Sequence, residues 1–121
     1  MRVLLSIKPE FALKIFDGLK RYEYRRAIFK REEVRTVVVY ASNPIKQVIG
    51  EFDIGDIIHG EPFVLWAQTG DVSGITKKRF LEYFGNKAKG YAIEVEEARK
   101  YDMPVPISGV ASWVPQSFMY L

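Results

Sequence analysis

A chain of 121 residues, 48% hydrophobic and 27% charged, is long enough to bury one core and too short for two, so the composition implies a single domain over 1–121 and excludes a disordered chain. With no cysteine and one histidine, His59, there is no disulfide framework, thiolate nucleophile or cysteine-type zinc site, and no metal or other cofactor is expected. The net charge of +3 is uneven: residues 1–50 carry 11 of the 18 Lys and Arg but only 5 of the 15 Asp and Glu, a balance that suits a polyanionic partner.

No apolar run approaches a membrane span, and Met1 to Ile7 is too short and too soon followed by charge to act as a signal peptide. The expectation is a soluble, cytoplasmic protein without a membrane partner. Arg2 to Ile7 reads as a first strand. Pro9 suits the first position of a helix, and Phe11, Ala12, Ile15 and Phe16 follow at helical spacing until Gly18 stops it.

The densest chemistry follows at once, in Gly18-Leu19-Lys20-Arg21-Tyr22-Glu23-Tyr24-Arg25-Arg26. Strand alternation puts Tyr22 and Tyr24 on one face and Glu23 and Arg25 on the other. The tyrosine face should be the buried one, because two rings remove more apolar area from water than the charged set. Lys20 is out of phase with Glu23 and joins it only if it lies in the turn before the strand, or if a bulge re-aims it.

Ala27 to Glu33 is a charged connection. Arg35 to Ala41, with Thr36-Val37-Val38-Val39-Tyr40, is the clearest strand, and Ser42-Asn43-Pro44 turns the chain. Lys46 to Ile54 resumes as strand, with Gly50 read as a packing glycine in preference to a bulge or a close backbone approach. Gly55-Asp56 signals a turn before Ile57 to His59 continue the sheet, and His59 is read as a partly exposed structural residue. A helix within Glu61 to Thr69 is broken by Gly70 to Gly74. Thr76 then caps a helix carrying Phe80, Leu81 and Phe84 up to Gly85, with Lys77, Lys78 and Arg79 in its first turn. That placement is compatible with plain solvation and with a phosphate-facing helix start. Gly90 to Val95 reads as strand, Tyr101 to Val110 as irregular chain holding at most an edge strand, and the aromatic tail from Trp113 as packed. Such a tail also suits a cleft wall or an interface between two copies, and the oligomeric state is open.

Gly18-x-Lys20-x-x-Glu23-x-Arg25, placed just after a first helix, resembles the G-x-K-x-x-E-x-R signature of the ASCH superfamily. The resemblance implies an α+β fold, a PUA-like mixed or antiparallel β-barrel with two to three peripheral helices. It also implies an RNA or nucleotide-like ligand in a cleft between the first helix and the barrel. Lys20, Tyr22, Glu23 and Arg25 would serve that ligand, with Ser42 and Asn43 at a strand end as further candidates.

No Ser-His-Asp set, phosphate loop or paired-carboxylate motif is legible. The rival reading is therefore a small hydrolase that the resemblance alone suggests, similar to acetylcytidine amidohydrolases or to ribonucleases, with Lys20 and Glu23 as its catalytic residues. Where the deacetylases carry a threonine this chain has Glu23, and their later glutamate falls among Asp71, Ser73 and Gly74. On the residues alone, the competing view is that Glu23 and Arg25 form an exposed pair and Lys20 a solvated turn residue.

Overall fold

The computed structural model describes all of residues 1–121. Its elements in chain order are β1 (Arg2–Ile7), α1 (Pro9–Phe16), β2 (Tyr22–Arg25), β3 (Thr36–Ala41), β4 (Gln47–Gly60), α2 (Pro62–Thr69), α3 (Lys77–Phe84), β5 (Gly90–Val105) and β6 (Phe118–Tyr120). The six strands form one sheet in the order β2-β5-β4-β3-β1-β6. Every pairing is antiparallel except β1 with β3, whose crossover carries α1 and β2. With three helices against a mixed, curled sheet, the α+β architecture expected from the sequence is the one found.

The curl comes from β4 and β5. Their ladder shifts register between Val48 and Gly50 and twice more between Asp53 and Ile57, and each irregularity bends the strands and tightens their twist. Gly55-Asp56, read from the sequence as a turn, is therefore a break within one strand of 14 residues. Glu94 explains why the chain does not reverse there: its Oε1 accepts from the Asp56 N–H at 3.0 Å and occupies the space a Gly55 side chain would need. The irregular chain expected from Tyr101 is likewise strand as far as Val105. Because β2 pairs only with Tyr91 to Glu94, this part of β5 is an edge, where Pro104 disrupts no second ladder.

Both sheet faces are covered, which accounts for the valine-rich runs. On the concave face Val3, Leu5, Val37, Val39, Phe52 and Ile93 pack against Ala12 and Ile15 of α1. On the convex face of β2 and β5, Tyr24 and Ala92 lie under Leu65 of α2 and Phe80 and Phe84 of α3. On the convex face of β1, β3 and β4, Leu4, Val38, Tyr40 and Val48 are closed over by Tyr101, Val105, Met119 and Leu121. The C-terminal tail is thus packed, as expected, while Trp113 stays exposed.

Gly50 is more than a packing glycine. A Cβ there would lie 2.6 Å from the Arg99 carbonyl oxygen and 2.6 Å from the Phe16 ring, where α1 rests on the sheet. We expect Gly50→Ala to lower stability by about 1–3 kcal/mol through overpacking against backbone, measured as a shift in the urea midpoint without a change in its slope.

Candidate functional site

α1 ends in a hydrogen-bonded reversal that sets the position of Lys20. Gly18, at φ 79°, lets the Gly18 N–H donate to the Ile15 carbonyl at 3.3 Å and the Leu19 N–H to the Lys14 carbonyl at 3.0 Å. The Lys20 N–H donates to the same Lys14 carbonyl at 3.1 Å. Lys20 therefore leaves the turn two residues before β2 begins and escapes the alternation that would have faced it away from Glu23. Its Nζ lies 3.9 Å from Glu23 Oε1.

Lys20 is 2% exposed. Its ammonium donates to the Ser73 carbonyl at 3.0 Å and sits over the rings of Phe11 at 5.3 Å and Tyr24 at 5.0 Å. Burial pushes its pKa below the ordinary lysine value; the Glu23 carboxylate pulls the other way, and nearby Lys14 adds to the depression. The turn supplying the Ser73 carbonyl is clamped onto this segment. The Arg21 N–H donates to the Val72 carbonyl at 2.8 Å, and Gly74, at φ 70°, has no room for a Cβ against that of Lys20.

Glu23, expected on an open face, is 6% exposed, and Tyr24 on the opposite face is 5% exposed. Both faces of β2 are buried, because α2 and α3 cover one and the curl of the sheet encloses the other. The exposed-pair reading of Glu23 and Arg25 is therefore incorrect. Glu23 Oε2 lies 3.5 Å from Arg25 Nη1. That guanidinium crosses from β2 to the opposite sheet edge, donating to the Ser6 carbonyl at 3.3 Å and to the carbonyl and Oγ of Ser117, each at 3.1 Å.

Beside this bridge lies a cavity of about 580 Å³ between α1, β2, the start of α3 and the tail. Five cations line it, Lys8, Lys20, Arg25, Arg26 and Arg79, against two carboxylates, Glu23 and Glu82. Phe11, Tyr24 and Tyr83 supply aromatic wall, and Ser6, Gln116 and Ser117 supply uncharged polar groups. Arg79 pairs with Glu10 at 2.8 Å and lies over the Phe11 ring at 5.1 Å. The Tyr83 hydroxyl accepts from the Arg26 N–H at 3.1 Å, and burial pushes its pKa up. Glu23 accepts no hydrogen bond from the protein, yet no fully buried side-chain oxygen is left without a partner, so its carboxylate faces the cavity. An interior so rich in cations suits an anion and opposes a metal ion.

Lys20, Glu23 and Arg25 are thus brought together; Tyr22, Ser42 and Asn43 are not. Tyr22 packs under the helices on the convex face, and the Ser42 N–H caps the Ile7 carbonyl at 2.9 Å in the turn after β3. Asn43 is exposed in that turn. Of the cavity residues that sequence reasoning missed, Arg79 had a signal, the three cations opening α3. Ser6, Tyr83 and Ser117 had none, since only long-range contacts bring them here.

The ASCH domain family profile matches residues 5–105. Over 120 residues the chain is 30% identical to a large ribosomal subunit protein uL22 of Ureaplasma parvum serovar 3, covering 98% of this chain and 39% of that protein. Over 89 residues it is 32% identical to an ASCH domain-containing ribonuclease of Zymomonas mobilis, covering 74% of this chain and 60% of that one. The chain thus spans less than two thirds of either relative. Among solved structures, ASCH from Zymomonas mobilis superposes with a TM-score of 0.90 at 27% identity, over 99% of this chain and 87% of that one. The N-terminal domain of McrB from Staphylothermus marinus, at 15% identity and a TM-score of 0.60 over 99% and 87% of the two chains, shares the fold alone.

The buried lysine leaves a signature in stability. Its folded pKa lies below its unfolded value, so between the two the unfolded chain binds more protons and stability rises with pH toward 10.5. The raised pKa of Tyr24 acts oppositely, lowering stability only as pH passes its ordinary 10.0. As pH is raised from about 7 toward the ordinary lysine value of 10.5, urea unfolding of the wild type should therefore gain stability relative to Lys20→Met. Parallel profiles for the two proteins would remove Lys20 as the titrating group.

Proposed function

The chain belongs to the ASCH domain family, and from that premise we propose that it binds RNA, with an unpaired nucleotide held in the cavity between the two sheet edges. The observation that carries this reading is the lining: five cations against two carboxylates, with three aromatic rings, in about 580 Å³. Cations hold phosphate through charge and hydrogen bonds, and aromatic rings accept a base face whatever its sequence. Lys8 and Arg26, exposed and in no ion pair, reach the phosphates. Arg25 and Lys20, already oriented by Ser117 and Ser73, meet anionic or carbonyl oxygens deeper in. Glu23, open to the cavity, accepts from a base amino group or a ribose hydroxyl.

A second reading is cleavage of that RNA, favoured by one feature: a buried lysine with a lowered pKa faces a carboxylate across 3.9 Å. In this scheme Glu23 takes the proton of the ribose 2′-hydroxyl, whose oxygen attacks the adjacent phosphorus and displaces the 5′-oxygen. A 2′,3′-cyclic phosphate and a 5′-hydroxyl result: the Lys20 ammonium gives the leaving oxygen its proton and regains one from Glu23 across 3.9 Å. The Zymomonas relative named as a ribonuclease supports it. Deacetylation of acetylcytidine would use the same Lys20, and its product, free acetate, separates it from both.

For binding, anisotropy of labelled single-stranded and duplex RNA at two salt concentrations is the test. The single strand should bind more tightly, and Lys8→Ala/Arg26→Ala should weaken it and lower the salt slope by about two. Salt-independent binding, or none, removes the reading. Cleavage is checked on the same strand: scission should stop both in Glu23→Gln and on a strand with a 2′-deoxynucleotide at the scissile position, whereas scission of the deoxy strand excludes this chemistry.

A further inference from the structure

Arg25, Tyr91 and His59 sit directly opposite one another on β2, β5 and β4. Residues so paired project from the same sheet face, so the face that presents Arg25 to the first cavity continues to His59, two strand spacings or about 10 Å away. There it meets a second cavity, of about 380 Å³, lined by Tyr91 and His59. The chain that follows β2 separates the two: Arg26 and Ala27 line the first, and Ile28 to Glu32, Val34 and Arg35 line the second.

This partition is held firmly. The Tyr120 hydroxyl accepts from the N–H groups of Lys30 at 2.8 Å and Arg31 at 3.2 Å. Arg31 lies over the Tyr120 ring at 4.7 Å, and Phe29 is buried against Phe118.

The second cavity has the composition of a stacking site. The His59 and Tyr91 rings stand 6.4 Å apart at a 49° tilt, and the Lys89 ammonium lies over Tyr91 at 5.5 Å. His59 is exposed and Tyr91 half-buried, so each offers ring surface to a ligand. Lys30 and Arg35 line the space together with Glu32 and Asp56, Lys89 stands beside it over Tyr91, and all three cations are exposed and in no ion pair.

We propose that this second cavity is a stacking subsite for the next part of a single RNA strand. A base stacks on one of the two rings with the other against its edge, while Lys30, Arg35 and Lys89 hold the flanking phosphates. The inference rests on the RNA reading of the first cavity and extends it: the protein recognises a short run of single strand crossing the Arg26 to Arg35 partition, with Arg25 at the base of one cavity and Tyr91 and His59 at the base of the other.

The test compares an eight-nucleotide single-stranded RNA with uridine monophosphate, the latter measured by displacement, on wild type and His59→Ala/Tyr91→Leu. Loss of one stacked base should weaken the octamer about tenfold and leave the mononucleotide unchanged. Lys30→Ala/Lys89→Ala should lower the octamer's salt slope by about two. If the aromatic variant unfolds in a circular dichroism melt, His59→Ala alone, at an exposed position, takes its place with a smaller loss on the octamer only. Unchanged octamer binding overturns the subsite and leaves the first cavity's reading standing. Equal losses on both ligands also overturn it, because the change then lies in the first cavity. A wild type that binds neither ligand overturns the RNA reading and the subsite with it.

Discussion

The outer edges of the sheet, β2 and β6, never meet through a backbone ladder, and the Arg25 guanidinium stands in for one. Its three hydrogen bonds, to Ser6 and Ser117, are the kind worth about 1.5–3 kcal/mol each to a charged group. A ladder would have brought the backbones to about 5 Å and closed the cavity. A side-chain bridge keeps the edges apart while fixing their distance, and the space beside it is the first cavity. A long planar fork with several donors is needed for that geometry, which a lysine would not supply.

Lys20 is the second constraint, and its position depends on elements that do not line the first cavity. A buried ammonium is costly unless it is hydrogen-bonded, and its hydrogen-bond acceptor, the Ser73 carbonyl, belongs to the turn after α2. That turn is fixed in its own right: the Ser73 hydroxyl donates to the Gly70 carbonyl at 2.8 Å, and Thr69, hydrogen-bonded to Tyr24, closes the end of α2. The helices on the convex face thereby determine where a charge sits on the concave side. Such a lysine is a pre-oriented group, held by aromatic contacts and one carbonyl, with N–H capacity left over for an incoming oxygen.

Much of this was legible in the sequence where local chemistry governs. Pro9 and Gly18 bound α1, Thr76 caps α3 through the Arg79 N–H at 3.2 Å, and the Thr36 to Tyr40 run is strand because both of its faces are buried. The signature Gly18-x-Lys20-x-x-Glu23-x-Arg25 runs into β2, and its Lys20, Glu23 and Arg25 line the first cavity. What the sequence concealed is what distant residues decide. Gly55-Asp56 has the composition of a turn, and only the Glu94 carboxylate in the neighbouring strand makes it part of a strand. Glu23 reads as a surface residue because nothing local announces that the sheet curls over it. The register row from Arg25 through Tyr91 to His59 joins residues from three strands, so no spacing in the sequence reveals it.

The bridge from Arg25 to Ser117 spans 92 positions of the chain, and the Tyr120 contacts that hold the partition span 90 and 89. Ribosomes add residues at about 5–20 per second, so a nascent chain that has just completed β2 waits several seconds before the groups that brace it exist. Once β5 is complete at Val105 the helices and the central strands have what they need to pack, but the wall of the first cavity still lacks Ser117 and Tyr120. The site is therefore the last part of the molecule to mature. Any ligand of that cavity would meet, during synthesis, a chain folded elsewhere and still without this wall.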